Sequence, residues 1–253
     1  MLGLSCHLAL GGAPPAAANG NLLLDDLFGA TIHWSGGLRK GEGLARIENQ
    51  LRSSGLRPFV IPYGGSNPVG AAGFAAAMIE LNEQVKVAGV RDDAVVFASS
   101  SGGTHAGLLA GGSIIGSSTR IVGIEIDKRD ADEHPFGEFI AGLASQTAEL
   151  LGVEVRHRPS DVVLKSDYLG AGYGVVGDLE REAIRLMAER EGILLDPVYT
   201  GRAFGALLDL INRGEFRSGE DVIFWHTGGT PALFSYAETL TGTIGGTSAT
   251  RSG

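Results

Sequence analysis

One segment specifies the architecture of this chain, and it reads Ala94-Val-Val-Phe-Ala-Ser-Ser-Ser-Gly-Gly-Thr-His-Ala-Gly-Leu108. Residues 94–98 are apolar and include two β-branched valines, a composition typical of a buried parallel strand. Residues 99–103 are all small, and we expect Thr104 to cap a helix that runs to about Gly116. The segment therefore predicts a strand, a small-residue loop and a helix in direct succession.

This succession can build an anion site. The free N–H groups at a helix N-terminus point outward, and the helix dipole favours negative charge there. Gly102 and Gly103 let the backbone approach a phosphate closely, while the hydroxyls of residues 99–101 and Thr104 add further donors. The alternative is a tight strand-to-helix turn without a ligand, because such loops recur in many α/β folds.

Three familiar loop motifs are absent from this segment. No lysine follows the glycines, so the loop is not a Walker A motif. It lacks the Gly-x-Gly-x-x-Gly spacing, and the acidic residue at the end of a next strand, that a dinucleotide site requires. It is not Gly-x-Ser-x-Gly either, so the serines do not form a nucleophile elbow. The sequence gives no motif for a small-molecule kinase or a dehydrogenase.

Composition narrows the possible partners. The chain has 253 residues, 43% of them hydrophobic, which is enough for a sizeable core. A net charge of −9 and a pI near 5.1 argue against nucleic acid as a partner. The single cysteine, Cys6, excludes an intrachain disulfide and a cysteine-based zinc site, and it favours a cytoplasmic location. No apolar run approaches the roughly 20 residues of a membrane span, so we expect no membrane partner.

Strands that alternate with helices along the chain predict an α/β fold with a parallel sheet. The expected strands are residues 2–10, 31–34, 58–62, 94–98, 120–126 and 221–225. The expected helices are residues 22–28, 42–53, a long one to about residue 85 that Asn67 caps, 104–116, 136–151, 179–191, 202–212 and 231–240.

Three small-residue loops, 64–70, 99–103 and 227–229, follow predicted strands. In a parallel sheet such loops line one crevice, where a phosphorylated cofactor would fit. For 64–70 we favour a domain-crossing turn over direct ligand contact. Residues 241–253 are mostly Gly, Ser and Thr, and we expect a disordered tail. The chain opens on a predicted interior strand, which hints that preceding sequence is missing.

Six motifs in register give the chain a resemblance to the D-cysteine desulfhydrase and 1-aminocyclopropane-1-carboxylate deaminase family. The resemblance covers roughly residues 4 to 240. It rests on Asn19-Gly-Asn-Leu-Leu-Leu-Asp25, Gly64-Gly-Ser-Asn67, Ser101-Gly-Gly-Thr-His-Ala-Gly107, Gly172-Tyr-Gly174, Leu195-Asp-Pro-Val-Tyr-Thr-Gly201 and His226-Thr-Gly-Gly229. The family uses pyridoxal 5′-phosphate in the fold of the tryptophan synthase β-subunit (PLP fold type II), with parallel sheets flanked by helices. The resemblance implies a remnant of the small domain at 1–69 and a partial large domain at 70–240.

The resemblance also implies roles for individual residues. Tyr173 and Tyr199 match two active-site tyrosines, and Thr227 matches a residue near cofactor and substrate. Thr200 matches the position that faces the pyridine nitrogen; a hydroxyl there weakens the ring as an electron sink, whereas the deaminases carry a carboxylate. His105 and His226 are expected to be structural, and no metal is expected. The implied phosphate cradle is Ser101, Gly102, Gly103 and Thr104.

The chain departs from the family pattern at three places. The segment that carries the family's Schiff-base lysine precedes the part matched by residues 2–10 and has no counterpart here, and a lyase of this kind needs that lysine twice. None of the four lysines lies in a matching context: Lys40, Lys86, Lys128 and Lys165. Two milder changes are Ser100 in place of the family's glycine and Arg202 in place of its lysine.

The function implied is a lyase that cleaves a small sulfur-containing amino acid such as D-cysteine by α,β-elimination to pyruvate, ammonia and sulfide. Activity of this chain is expected to be impaired, because the lysine is missing. The alternatives are 1-aminocyclopropane-1-carboxylate deaminase or L-cysteate sulfo-lyase activity, and a non-catalytic protein that retains a phosphate site. The family also implies a homodimer.

Overall fold

The computed structural model describes residues 3–38, 41–128 and 135–241. Two parallel strands, β1 (His7–Leu10) and β2 (Thr31–Trp34), form a small sheet near the beginning of the chain. The larger sheet has four parallel strands in the order β5-β4-β3-β6. These are β3 (Ala94–Ser99), β4 (Arg120–Glu125), β5 (Val163–Lys165) and β6 (Val222–Phe224).

Helices connect and cover the strands, which confirms the predicted α/β class with parallel sheets flanked by helices. Two short 3₁₀ turns lie at Tyr63–Gly65 and Pro159–Asp161. The helices are α1 (Asn21–Leu27), α2 (Leu44–Ser53), α3 (Pro68–Ala88), α4 (Gly103–Ile115), α5 (Phe136–Leu150), α6 (Asp178–Glu191), α7 (Thr200–Asn212), α8 (Ala232–Ser235) and α9 (Ala237–Thr241). No helix in the described ranges is long and apolar enough to cross a bilayer.

Strand β3 is buried on both faces, as its apolar sequence predicts. Val95 and Phe97 pack into a core with residues of α3, α4 and α5. Val96 and Ala98 point the other way, into a core with residues of β4 and α7. Because side chains alternate along a strand, one run of apolar residues serves both layers. The loop after β3 is therefore anchored from two sides.

Helices α3 and α4 are in close backbone contact. Gly107 and Gly111 of α4 lie against the backbone of Ala71 and Ala75 in α3, and a Cβ added at Gly111 would lie 2.5 Å from the carbonyl oxygen of Ala75. Only glycine permits this approach. The contact fixes the start of α4 relative to the start of α3, and both starts border the site described below.

The structure corrects the predictions at several elements. Residues 58–62 form no strand; Pro58 and Pro62 lack the N–H groups that a ladder needs, and the segment leads into the first 3₁₀ turn. The expected helix 231–240 is broken at Tyr236 into α8 and α9. Strand β5, which has three residues, was not predicted. In the described part of the strand expected at 2–10, which begins at residue 3, only His7–Leu10 is a strand.

Of two predictions about the organisation of the chain, one is not tested by these observations and the other is tested at one residue. The division into 1–69 and 70–240 stays a prediction. Of the expected tail, Thr241 ends α9, and the remaining residues lie outside the described ranges.

Candidate active site

A cavity of about 290 Å³ opens where β3 ends, and all three predicted small-residue loops reach it. Of the predicted site residues, five line it: Ser101, Gly102, Thr104, Tyr199 and Thr227. Gly103, Tyr173 and Thr200 lie next to these residues in the chain or in space but are not part of the lining. The remaining lining residues are Tyr63, Gly64, Ala98, Ser99, Ser100, His105, Gly228 and Gly229.

The loop after β3 turns at Gly102, which has a left-handed φ of 91°. A Cβ at this position would lie 3.0 Å from Phe139 and 3.1 Å from Phe136, so both the conformation and the space require glycine. Because the chain turns here, α4 begins at Gly103 rather than after a Thr104 cap. The expectation that Thr104 caps the helix is therefore wrong. The N-cap residue is Gly102, which has no side chain that could cap the helix.

Ser66 is a contact of this loop that sequence reasoning missed. Its hydroxyl accepts a hydrogen bond from the N–H of Gly103 at 3.1 Å. Gly64 lies against the side chain of Ser101 and lines the cavity. The segment 64–70, which we favoured as a domain-crossing turn, therefore also forms a wall of the cavity. The predicted cap of α3 is confirmed, since Asn67 Oδ1 accepts from the N–H of Gly70 at 2.8 Å.

The two tyrosines meet at the cavity. The hydroxyls of Tyr173 and Tyr199 are hydrogen-bonded, and their rings pack edge to face with centroids 5.9 Å apart. Burial raises the pKa of both phenols. Either hydroxyl can be the donor of the hydrogen bond that they share. Tyr199 is the member of the pair that lines the cavity.

Thr200 is completely buried beside Asp196, a residue that sequence reasoning did not single out. The Thr200 hydroxyl donates to Asp196 Oδ1 at 2.7 Å and accepts from the Asp196 N–H at 2.8 Å. The other carboxylate oxygen accepts from the N–H groups of Val198 and Tyr199. The carboxylate thus organises the turn that begins α7, where the helix dipole favours a negative charge. The role of Thr200 toward a pyridine nitrogen stays a prediction.

Both histidines expected to be structural make intraprotein contacts. His105 is completely buried, with Nδ1 3.3 Å from Ser99 Oγ and its ring edge-on to Phe97. Burial lowers the pKa of His105 to about 3, so the ring is neutral. His226 Nδ1 accepts from the N–H of Gly228 at 3.0 Å and thereby shapes the loop that carries Thr227.

The residues of the cavity suit the phosphate group of a cofactor, but none of the described ones is a lysine to which the cofactor could be bound covalently. A glycine turn, a helix N-terminus and the hydroxyls of Ser101 and Thr104 supply donors, and none of the described residues that line the cavity carries a carboxylate. In contrast, no described lysine lines the cavity: Lys165 pairs with Glu215 at 2.9 Å, Lys86 lies in the last turn of α3, and Lys128 is exposed. Lys40 lies outside the described residues. Within the described ranges no group of three potential metal ligands occurs.

Comparisons with known proteins identify the family of the chain. The chain is 37% identical over 241 residues to the D-cysteine desulfhydrase of Klebsiella pneumoniae (strain 342), covering 93% of this chain and 71% of that protein. A crystal structure of an ACC deaminase homologue superposes with a TM-score of 0.83 at 37% identity, over 94% of this chain and 70% of the other.

More distant structures share the fold. An O-ureido-L-serine synthase superposes with a TM-score of 0.62 at 16% identity, over 97% of this chain and 71% of the other. The family model described as pyridoxal-phosphate dependent enzyme matches residues 1–228. That match and the relatives at 37% identity lead to one conclusion: the chain belongs to the pyridoxal-phosphate dependent enzyme family, alongside D-cysteine desulfhydrase and the ACC deaminase homologue.

Proposed function

We propose that this chain binds pyridoxal 5′-phosphate with the phosphate on the loop Ser101–Thr104, and that it derives from a lyase that removes sulfide from a small amino acid such as D-cysteine by α,β-elimination. The observation that carries the proposal is that this loop shares one cavity with Tyr199 and Thr227. The relative at 37% identity, a D-cysteine desulfhydrase, supports the substrate class.

The chemistry of each side chain at the cavity suggests a role in binding or catalysis. The hydroxyls of Ser101 and Thr104 and the N-terminus of α4 would hold the phosphate. Tyr199, with its hydroxyl supported by Tyr173, would hold or move a proton at the phenolic oxygen. Thr227 would position the substrate. When bound, pyridoxal phosphate supplies the electron sink that this chemistry needs.

The residue type at position 200 is the feature that favours a lyase over a ring-opening deaminase in this proposal. Threonine has a hydroxyl and no carboxylate to offer to a ring nitrogen, and here that hydroxyl is hydrogen-bonded to Asp196. A carboxylate at this place would strengthen the ring as an electron sink. Thr200 therefore favours the desulfhydrase-like branch, with L-cysteate as a further candidate substrate.

We further propose that the 253-residue chain has little or no turnover. The reason is that no lysine of the described ranges lines the cavity, and lysine is needed both to hold the cofactor covalently and to transfer a proton. Sulfide release from D-cysteine should therefore not exceed that of free pyridoxal phosphate. Turnover well above that background would contradict this part of the proposal.

Cofactor binding itself is tested by incubation with pyridoxal 5′-phosphate, dialysis and absorption spectroscopy. Pyridoxal without the phosphate should bind much more weakly. Thr104→Val, which removes one hydroxyl from the cavity, should weaken retention about tenfold, since a hydrogen bond to a charged group contributes about 1.5 kcal/mol or more. Thr31→Val in β2 is the matched control and should bind as the unchanged chain does. Equal binding by both variants would place the phosphate elsewhere.

A second candidate is a non-catalytic protein that binds a phosphate ester, and the lysine-free lining favours it. Borohydride treatment after dialysis separates the two functions. Reduction of the cofactor onto one identified lysine would show a working covalent site. Retained cofactor that borohydride does not fix to the chain would support the second candidate.

A further inference from the structure

Arg202 lies next to the predicted site residue Thr200 and uses every donor of its guanidinium inside the protein. It is 1% exposed. Nε donates to Glu180 Oε1 at 2.6 Å. The two N–H groups of one terminal nitrogen reach the carbonyls of Ile126 and Leu169, at 3.1 and 2.9 Å. The other terminal nitrogen reaches the carbonyls of Gly172 and Val175, at 3.1 and 2.9 Å. An arginine has five N–H donors, and all five have acceptors.

Glu180 extends this network to the end of the same loop. Its carboxylate is almost completely buried, and its second oxygen accepts from the N–H of Gly177 at 2.7 Å. One buried ion pair, Arg202 with Glu180, therefore contacts the loop 169–177 at four backbone positions. Because both charges are paired and the guanidinium is fully hydrogen-bonded, burial of the pair is tolerated.

Within the loop, the N–H groups of Gly172 and Val175 donate to the carbonyls of Leu169 and Gly172, at 3.2 and 3.3 Å. Gly170, Gly172 and Gly174 all adopt positive φ, at 57°, 138° and 70°. Glycine allows many alternative conformations, so a loop with three such residues needs external contacts to stay in one. Tyr173 lies between Gly172 and Gly174, and the carbonyls that Arg202 holds flank it on both sides.

We propose that Arg202 is a positioning residue: it holds the loop 169–177 so that the hydroxyl of Tyr173 meets that of Tyr199 at the cavity. The inference rests on the proposed function only in treating these tyrosines as site residues. A lysine, which the family resemblance implies at this position, has three donors on one nitrogen and cannot reach four separated carbonyls and a carboxylate. The exchange of lysine for arginine is therefore a substantial change in this chain.

The test measures the tyrosines directly and needs no cofactor. Nitration by tetranitromethane at pH 8, followed by peptide mapping, reports the reactivity of each tyrosine in the folded chain. Tyr173 is 46% exposed in the folded chain, and we expect Arg202→Lys to accelerate its nitration several-fold, because its phenol loses the hydrogen bond to Tyr199. Tyr168, whose hydroxyl donates to Asp209 at 2.7 Å, is the internal reference and should not change.

A merely destabilised chain would not give this pattern. Ile140→Val removes a buried methylene from the core of α5, which lowers stability, and it should leave nitration of Tyr173 unchanged. If Arg202→Lys and Ile140→Val give the same nitration profile, the proposal is overturned.

A second variant disturbs the guanidinium without replacing it. A Cβ at Gly170 would lie 3.3 Å from one terminal nitrogen of Arg202. We expect Gly170→Ala to raise the nitration rate of Tyr173 as well. Gly89→Ala is its control, because Gly89 has a comparable φ of 68° and a Cβ there meets nothing within 4 Å. Unchanged nitration in Gly170→Ala would count against the proposal even if Arg202→Lys does not fold. If the chain fails to retain pyridoxal phosphate, the proposed function is contradicted. The nitration result for Arg202 still stands, because that experiment uses no cofactor.

Discussion

The carboxylate of Asp196 accepts two hydrogen bonds from Thr200, one from its backbone N–H and one from its hydroxyl, both at 2.7 Å. The same carboxylate accepts from the N–H groups of Val198 and Tyr199 at 2.8 Å. One buried side chain therefore sets both the backbone that carries the cavity-lining tyrosine and the orientation of the neighbouring threonine.

Asp196→Asn should test this arrangement. The amide nitrogen of asparagine is a donor, so it would face backbone donors in place of one carboxylate oxygen. We expect the free energy of unfolding to fall by about 2–4 kcal/mol in denaturant titrations. Asp178→Asn, at an exposed carboxylate that pairs with Arg181, should change it by less than about 1 kcal/mol. Similar losses in the two variants would refute the special role of Asp196.

Thr200→Val removes the hydroxyl at nearly constant volume. The Asp196 N–H then loses its acceptor, and Oδ1 loses one donor. The expected destabilisation is about 1–3 kcal/mol, because an unpaired buried donor costs that much. Thr200→Ser keeps the hydroxyl and should retain most of the stability. A serine variant as unstable as the valine variant would show that methyl packing, rather than the hydrogen bonds, matters here.

Gly102→Ala should destabilise the chain and weaken phosphate binding together. Alanine disfavours the φ of 91°, and its Cβ would press against Phe136 and Phe139. We expect a loss of about 1–3 kcal/mol by thermal or chemical unfolding. Gly112→Ala, inside α4 with nothing within 4 Å of its Cβ, should instead stabilise by about 0.4–1 kcal/mol. Two alanines in one loop-helix unit are thus predicted to act in opposite directions.

His105 predicts a pH dependence of stability. Its pKa is about 3 in the folded chain and near 6.5 when unfolded, so the unfolded state binds the extra proton between these values. The stabilisation is complete above about pH 6.5 and is lost as the pH falls toward 3, with a slope of up to about 1.4 kcal/mol per pH unit. His105→Asn should flatten that slope in unfolding measurements between pH 4 and 7. Parallel curves for the two proteins would exclude His105 as the source.

The local elements of the site could be predicted, whereas its long-range contacts could not. The composition of residues 94–103 predicts a strand and a glycine turn, and the structure contains both. Residues 58–62 look similar in hydrophobicity, yet no strand forms there. Asp196 had a usable signal, because an aspartate before proline often accepts hydrogen bonds from the following turn.

The contacts of Ser66 with Gly103 and of Arg202 with Glu180 carry no such signal. They join residues 37 and 22 positions apart, and only the folded chain brings them together. A pattern read along the sequence reports local preference, whereas these bonds depend on how α3, α4, α6 and α7 pack around the sheet.

The complete engagement of Arg202 also bears on how the cavity would recognise anions. A guanidinium beside an amino-acid site is a natural partner for a substrate carboxylate, but this one has no N–H left to offer. Among the residues that line the cavity in the described part of the chain, none is a lysine or an arginine. Negative groups entering it would meet hydroxyls and backbone N–H dipoles instead of cations. Selection among them would then depend on the shape and number of their oxygen atoms more than on their charge.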